Sequence, residues 1–167
     1  MTTPTAVQFA PMLHGLAQAL AQALALLGGL LGTPLAGAQF SMVPAPLVQT
    51  APRASQAEIE KEYRIDAARH IYAAYPTRIF KGRMPPLLYS VMAVETEIDA
   101  SGQVVEVSVV RKPAADEVTP WVVAMIRRAG PFPAPARVGT SNVRYFDVWL
   151  VDRSGLFQID TLTEGQR

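Results

Sequence analysis

No charged side chain occurs before Arg53. A stretch that long without Asp, Glu, Lys or Arg cannot supply the solvated surface of a water-soluble domain, so the folding unit must be sought downstream. Inside the stretch, Leu16 to Gly32 is an unbroken block of Leu, Ala and Gly that includes two glutamines, Gln18 and Gln22. It has the make-up of the apolar region of a secretory signal. Ala36-Gly37-Ala38 follows Pro34 and matches the small-residue pattern a signal peptidase accepts, which predicts a mature chain beginning near Gln39. No Lys or Arg precedes the block, and Leu13 to Leu35 also reaches the roughly 20 residues that cross a bilayer. Residues 1–38 therefore read as a signal peptide or an N-terminal membrane anchor, and both remain open.

Residues 39–55 contain Pro44, Pro46 and Pro52 among small and polar residues and read as a linker. Residues 56–167 are expected to form one small domain with a single core. Lys and Arg number 15 against 14 Asp and Glu, all from Arg53 onward, so the net charge gives no electrostatic case for nucleic acid or for anionic lipid. There is no cysteine, hence no disulfide, thiolate metal site or thiol nucleophile. His14 and His70 are the two histidines. No H-E-x-x-H or G-x-S-x-G pattern is present. Glu95 and Glu97 share one strand face and could imitate a carboxylate pair, but a solvated sheet face is the plainer reading. Lys81-Gly82-Arg83 could meet a phosphate only weakly. No catalytic residue, cofactor or metal site is assigned, and an enzyme is not expected.

Ser55-Gln56-Ala57-Glu58 has the form of a capping box. Ile59, Tyr63, Ala67 and Ile71 then recur at helical spacing, and the helix should end near Ala74 because Tyr75 precedes Pro76. Ser90 to Ile98 alternates, with Met92, Val94, Thr96 and Ile98 on one face and Glu95 and Glu97 on the other. Asp99-Ala-Ser-Gly102 is a turn, and Val104 to Val110 is a second strand with Val105, Val107 and Val109 on one face. Thr119-Pro120 suits the N-cap and first position of a second helix, with an irregular turn from Asp116 ahead of it. Trp121, Val122, Met125, Ile126 and Ala129 form that helix's apolar stripe. Val143 to Val151 is a third strand, Asp152-Arg-Ser-Gly155 a second turn, and Leu156 to Ile159 a short fourth strand. The order predicts an α+β domain: two helices on a small antiparallel sheet of three to four strands.

Tyr75-Pro76, the hairpin Val94-Glu-Thr-Glu-Ile-Asp-Ala-Ser-Gly102-Gln-Val-Val-Glu-Val-Ser-Val109, the helix Trp121 to Ala129 and Pro131-Phe-Pro-Ala-Pro135 stand in an order that resembles the TonB family C-terminal domain. The resemblance covers about Tyr75 to Leu150. It implies a periplasmic module of the Gram-negative envelope that contacts an extended segment of another envelope protein by pairing a strand. The third or fourth strand would offer the edge, and Tyr145, Trp149 and Phe157 are candidate contacts if exposed; packing on the first helix is the alternative. The chain departs from the family in three ways: Ala10 stands where a serine would precede His14 by four, the linker is short, and Asp152 to Arg167 adds a hairpin. The expectation is a TonB-like binding module rather than a complete energy transducer, with a structural envelope-assembly role as the alternative. An inner-membrane tether and a homodimer both stay open.

Overall fold

The structure, a computed structural model, describes residues 38–47, 52–139 and 141–166. Apart from Ala38, the signal or anchor segment lies outside the described residues.

Helix α1 (Glu60–Ala74) buries Tyr63, Ala67, Ala68, His70, Ile71 and Ala74, a stripe at three- and four-residue spacing. The expected capping box does not form. Ile59 occupies the N-cap position without a side-chain cap. Ser55 instead accepts from the Ala57 amide and donates to Asp66 Oδ2 at 2.7 Å, so its hydroxyl ties the incoming chain to the second turn of the helix. The reach-back is made by Glu62, whose carboxylate accepts from the Glu58 amide. Two acidic residues in the first turn, Glu60 and Glu62, favour the helix dipole. The helix stops at Tyr75, as the following Pro76 requires.

Strands β1 (Ser90–Asp99) and β2 (Val104–Arg111) form the hairpin. Its turn is held by Asp99, whose side chain accepts from Ser101 Oγ and from the Ser101 and Gln103 amides. Gly102 takes φ +87°, the conformation for which glycine is suited. Helix α2 (Val118–Ala129) begins two residues earlier than the Thr119 cap predicts, because a turn over Ala115 and Asp116 feeds straight into it. Strand β3 (Asn142–Val151) returns alongside β1, and β4 (Phe157–Ile159) pairs with β3. The four-stranded antiparallel sheet has the order β2-β1-β3-β4, and the fold is α+β.

Both helices lie on one face of the sheet. That face carries Met92, Val94, Thr96 and Ile98 of β1, Val143, Tyr145 and Trp149 of β3, and Phe157 and Ile159 of β4, all buried. Side chains of α1 and of its C-cap residue Tyr75 lock the layers together. Tyr63 donates to the Pro133 carbonyl, Tyr75 to the Met125 carbonyl of α2, and Tyr72 Oη accepts from the Ile159 amide of β4. The stretch expected to be a linker is packed on the domain at both ends. Phe40 is buried between Tyr89, stacked at 5.5 Å, and Trp121, edge-on at 5.2 Å. Ser55 pairs backbone with Ala134. An aromatic ring that fills a core slot sets where the compact unit starts; proline content does not.

Candidate functional site

Tyr145, Trp149 and Phe157 are 3 %, 1 % and 0 % exposed, so they present no surface to a partner. Trp149 stacks on Phe157 at 4.6 Å, and Tyr145 meets Tyr63 of α1 edge-on at 5.8 Å. Burial holds the Tyr145 hydroxyl well above its ordinary pKa, with Asp147 and Tyr63 adding to the effect. In the sequence both faces of β3 carry large side chains, so strand alternation alone could not tell which aromatics point inward.

The two proposed edges are not free either. β3 lies between β1 and β4. Beyond β4, Ile79 forms a bridge with Phe157, and the Phe80 amide donates to the Phe157 carbonyl. Gln158 Nε2 donates to the carbonyls of Phe80 and Gly82, while its Oε1 accepts from Thr163. The Pro76-to-Met84 connection and the C-terminal residues therefore cap this side of the sheet. The opposite edge, β2, is open among the described residues. Its register slips at Val105 and at Val110, leaving Glu106 to Val109 as the regularly paired stretch. These two bulges explain a departure from simple alternation: Val105 and Val110 are 49 % and 60 % exposed, whereas Val104, Val107 and Val109 pack on the core.

Among the described residues no helix covers the second face of the sheet. Val91 opposes Leu150, Ala93 opposes Val148, and Glu95 opposes Phe146, which is 40 % exposed. Farther along, Glu97 accepts from Asn142 and pairs with Arg144 at 2.8 Å. The hydrogen bond from Asn142, then Arg144, lowers the Glu97 pKa. Glu95 and Glu97 thus sit on an open face, one of them bound to a cation, and do not converge on a cavity. At Lys81-Gly82-Arg83 the Gly82 amide donates to the Glu164 carboxylate, so the loop backbone offers no cradle of free amides, and Lys81 and Arg83 extend from it as exposed side chains.

Two polar groupings escape sequence reading. Asp147 of β3 is 4 % exposed on the helix face, where Arg64 Nε donates to it at 2.8 Å and Thr161 at 3.0 Å. Arg64 Nη2 also reaches Asp160 at 2.6 Å, and Asp160 in turn accepts from the Val148 amide. Burial raises the Asp147 pKa and Arg64 opposes that rise. This buried fork joins helix, strand and C-terminal turn; the alternation of β3 was its only signal in the sequence. The second grouping is a cleft of about 470 Å³ lined by Arg53, Ser55, Asp66, Arg69, His70 and Pro133 among others. There His70 Nε2 bonds the Ala129 carbonyl at 2.7 Å. A carbonyl can only accept, so Nε2 carries the proton. Burial lowers the His70 pKa, an effect this hydrogen bond partly offsets. Among the described residues no group of three or more His, Asp or Glu is placed to hold a metal ion, and no helix is long and apolar enough to cross a membrane.

The arrangement defines a class: a small α+β domain that, among the described residues, presents a half-open sheet beside a shallow polar cleft. No protein-family model, no curated protein and no solved structure matches the chain.

Proposed function

We propose that the chain is an exported, TonB-like module of the Gram-negative envelope that binds protein without catalysing a reaction, and that it holds an extended segment of another envelope protein against β2 and the adjoining open face. The observation that carries this reading is the one-sided sheet. Helices cover one face, residues 76–84 back β4, and β2 with the Phe146–Val148–Leu150 row stays accessible. A partner strand can pair with Glu106 to Val109 at the β2 edge, and the segment that continues from it can cross the open face toward the β3 row. The order of motifs from Tyr75 to Leu150 supports the same reading. A photo-crosslinking residue placed at Val110 or Phe146 in living cells tests it. A discrete adduct with one envelope protein, absent when the residue is at Ile59, is expected. No adduct at either position would remove the proposal.

A structural envelope-assembly role has its own observation in its favour. The bulges at Val105 and Val110 blunt the open edge, and the capped β4 closes the other. On that reading, amides along both outer strands exchange slowly in the purified protein. Export is tested by the intact mass of protein recovered from the periplasm: a chain starting at Gln39 is expected, and one retaining Met1 in the inner membrane would establish an anchored domain.

A further inference from the structure

Among the described residues the two most exposed large apolar side chains are Leu87, at 88 %, and Met42, at 79 %. They lie at the same corner. Met42 is two residues from Phe40 and Leu87 two residues from Tyr89, and the rings of Phe40 and Tyr89 stack on each other. Cations gather at this corner. The Arg153 guanidinium sits 5.2 Å from the Tyr89 ring centre, and the Arg153 carbonyl accepts from Gln39. The side chains of Arg78 and Gln39 both lie against Gly155. Lys81 and Arg83 are exposed on the loop that leads to Leu87. None of these four cations forms an ion pair among the described residues. The nearby carboxylates are otherwise engaged: Asp152 with Ser154, Glu164 with the Gly82 amide, and Glu117 with Tyr89.

We propose that this corner docks on an anionic phospholipid surface, with Met42 and Leu87 entering the boundary between headgroups and acyl chains and the four cations meeting headgroup phosphates. The pairing of protruding apolar side chains with basic ones suits that boundary better than water, because the apolar groups gain cover while the cations keep polar partners. The near-neutral net charge conceals the feature, because it averages this corner with the acidic start of α1. The inference stands apart from the protein-binding reading, which uses the other edge of the sheet.

The chain has no cysteine, so Met42→Cys and Leu87→Cys each give a single labelling position in the protein purified from cells. Ile59→Cys is the control: it is also exposed, at 54 %, and it stands at the N-terminus of α1 beside Glu60 and Glu62 instead of beside cations. On vesicles of phosphatidylcholine with phosphatidylglycerol, an environment-sensitive fluorophore at 42 or 87 should shift to the blue and be quenched by a lipid-borne quencher. The label at 59 should not respond. Replacing Lys81 and Arg153 by Ser should lower the docked fraction by roughly fivefold for each charge removed. Labels at 42 and 87 as water-exposed as the one at 59 would overturn the proposal. An equal response on phosphatidylcholine alone would overturn the assignment to anionic headgroups. A shift that grows with protein concentration and needs no lipid would mean that a second copy of the chain covers the corner instead.

Discussion

Gly102 is the residue with least freedom to change. A Cβ built there would lie 2.1 Å from the Phe132 carbonyl oxygen, and its φ is already positive. The crowding arises because the Phe132 amide donates to the Gly102 carbonyl at 2.7 Å, clamping the hairpin turn onto the segment after α2. Gly102→Ala should cost at least about 3 kcal/mol in urea unfolding, since backbone must move to admit the methyl group. Gly82 has a similar φ of +76° but nothing within 4 Å of the added Cβ. Gly82→Ala should therefore cost only about 1 kcal/mol, the conformational part alone. Charge sets a second sensitivity. Arg64→Ala leaves Asp147 buried beside Thr161 without its cation and should destabilise by about 3 kcal/mol, with Asp147→Asn in the Arg64→Ala background recovering part of the loss.

His70 gives a pH dependence whose sign follows from its burial. Its native pKa lies below 6.5, so in acid the unfolded chain takes up a proton that the native chain refuses. The stability linked to this group is whole above pH 6.5 and falls as the pH drops below it. Asp147 has the opposite sign: its raised native pKa favours the fold in acid, and that contribution is lost as the pH rises from the ordinary carboxylate value through the native one. His70→Gln should flatten the slope of unfolding free energy as the pH falls below 6.5. An unchanged slope would assign the acid sensitivity to other groups.

At the level of elements, β3 shows why alternation is informative and incomplete. Trp149 and Phe146 occupy the same strand on opposite faces, one 1 % exposed and the other 40 %. Trp149→Ala should cost about 3–5 kcal/mol and threaten cooperative folding, whereas Phe146→Ala should cost about 1 kcal/mol or less in thermal melts. Which face goes inside depends on the helices, and no local pattern in β3 specifies it. The helices, the hairpin and the short fourth strand were legible because each carries its own punctuation: Pro76 after α1, Asp99 and Gly102 in the turn, Asp152 and Gly155 before β4. What stayed hidden depends on partners distant in sequence. Ser55 looks like a cap but binds Asp66, Phe40 fills the core from within an apparent linker, and Gln158 secures the loop at Phe80 and Gly82. The bulges that turn Val105 outward require knowledge of β1's register. For the candidate site, the one-sided sheet was readable from the element order, but the choice of edge was not.

Taken whole, the molecule separates its surfaces by role. The helical layer and the sheet's inner face are spent on the core. The fork at Arg64 and the cap over β4 fasten the C-terminal segment, and accessible apolar surface is left on the open face and at the Phe40–Tyr89 corner. If a partner covers the open face, adding it should protect β2 amides from exchange while those of β3, already paired on both sides, change little. Protection spread evenly over all four strands would indicate general tightening instead of docking at one edge.

The corner at residues 84–89 has one more consequence. Gln166 and Gly165 meet Met84 and Pro85, while Phe40 stacks on Tyr89, so the described chain both enters and leaves the domain beside one short segment. Ends that lie so near each other can be joined by a brief glycine-serine bridge, and new ends opened at the Gly139 turn, where an added Cβ meets nothing. Such a circularly permuted chain would keep its sheet order and core while reversing which half is synthesised first.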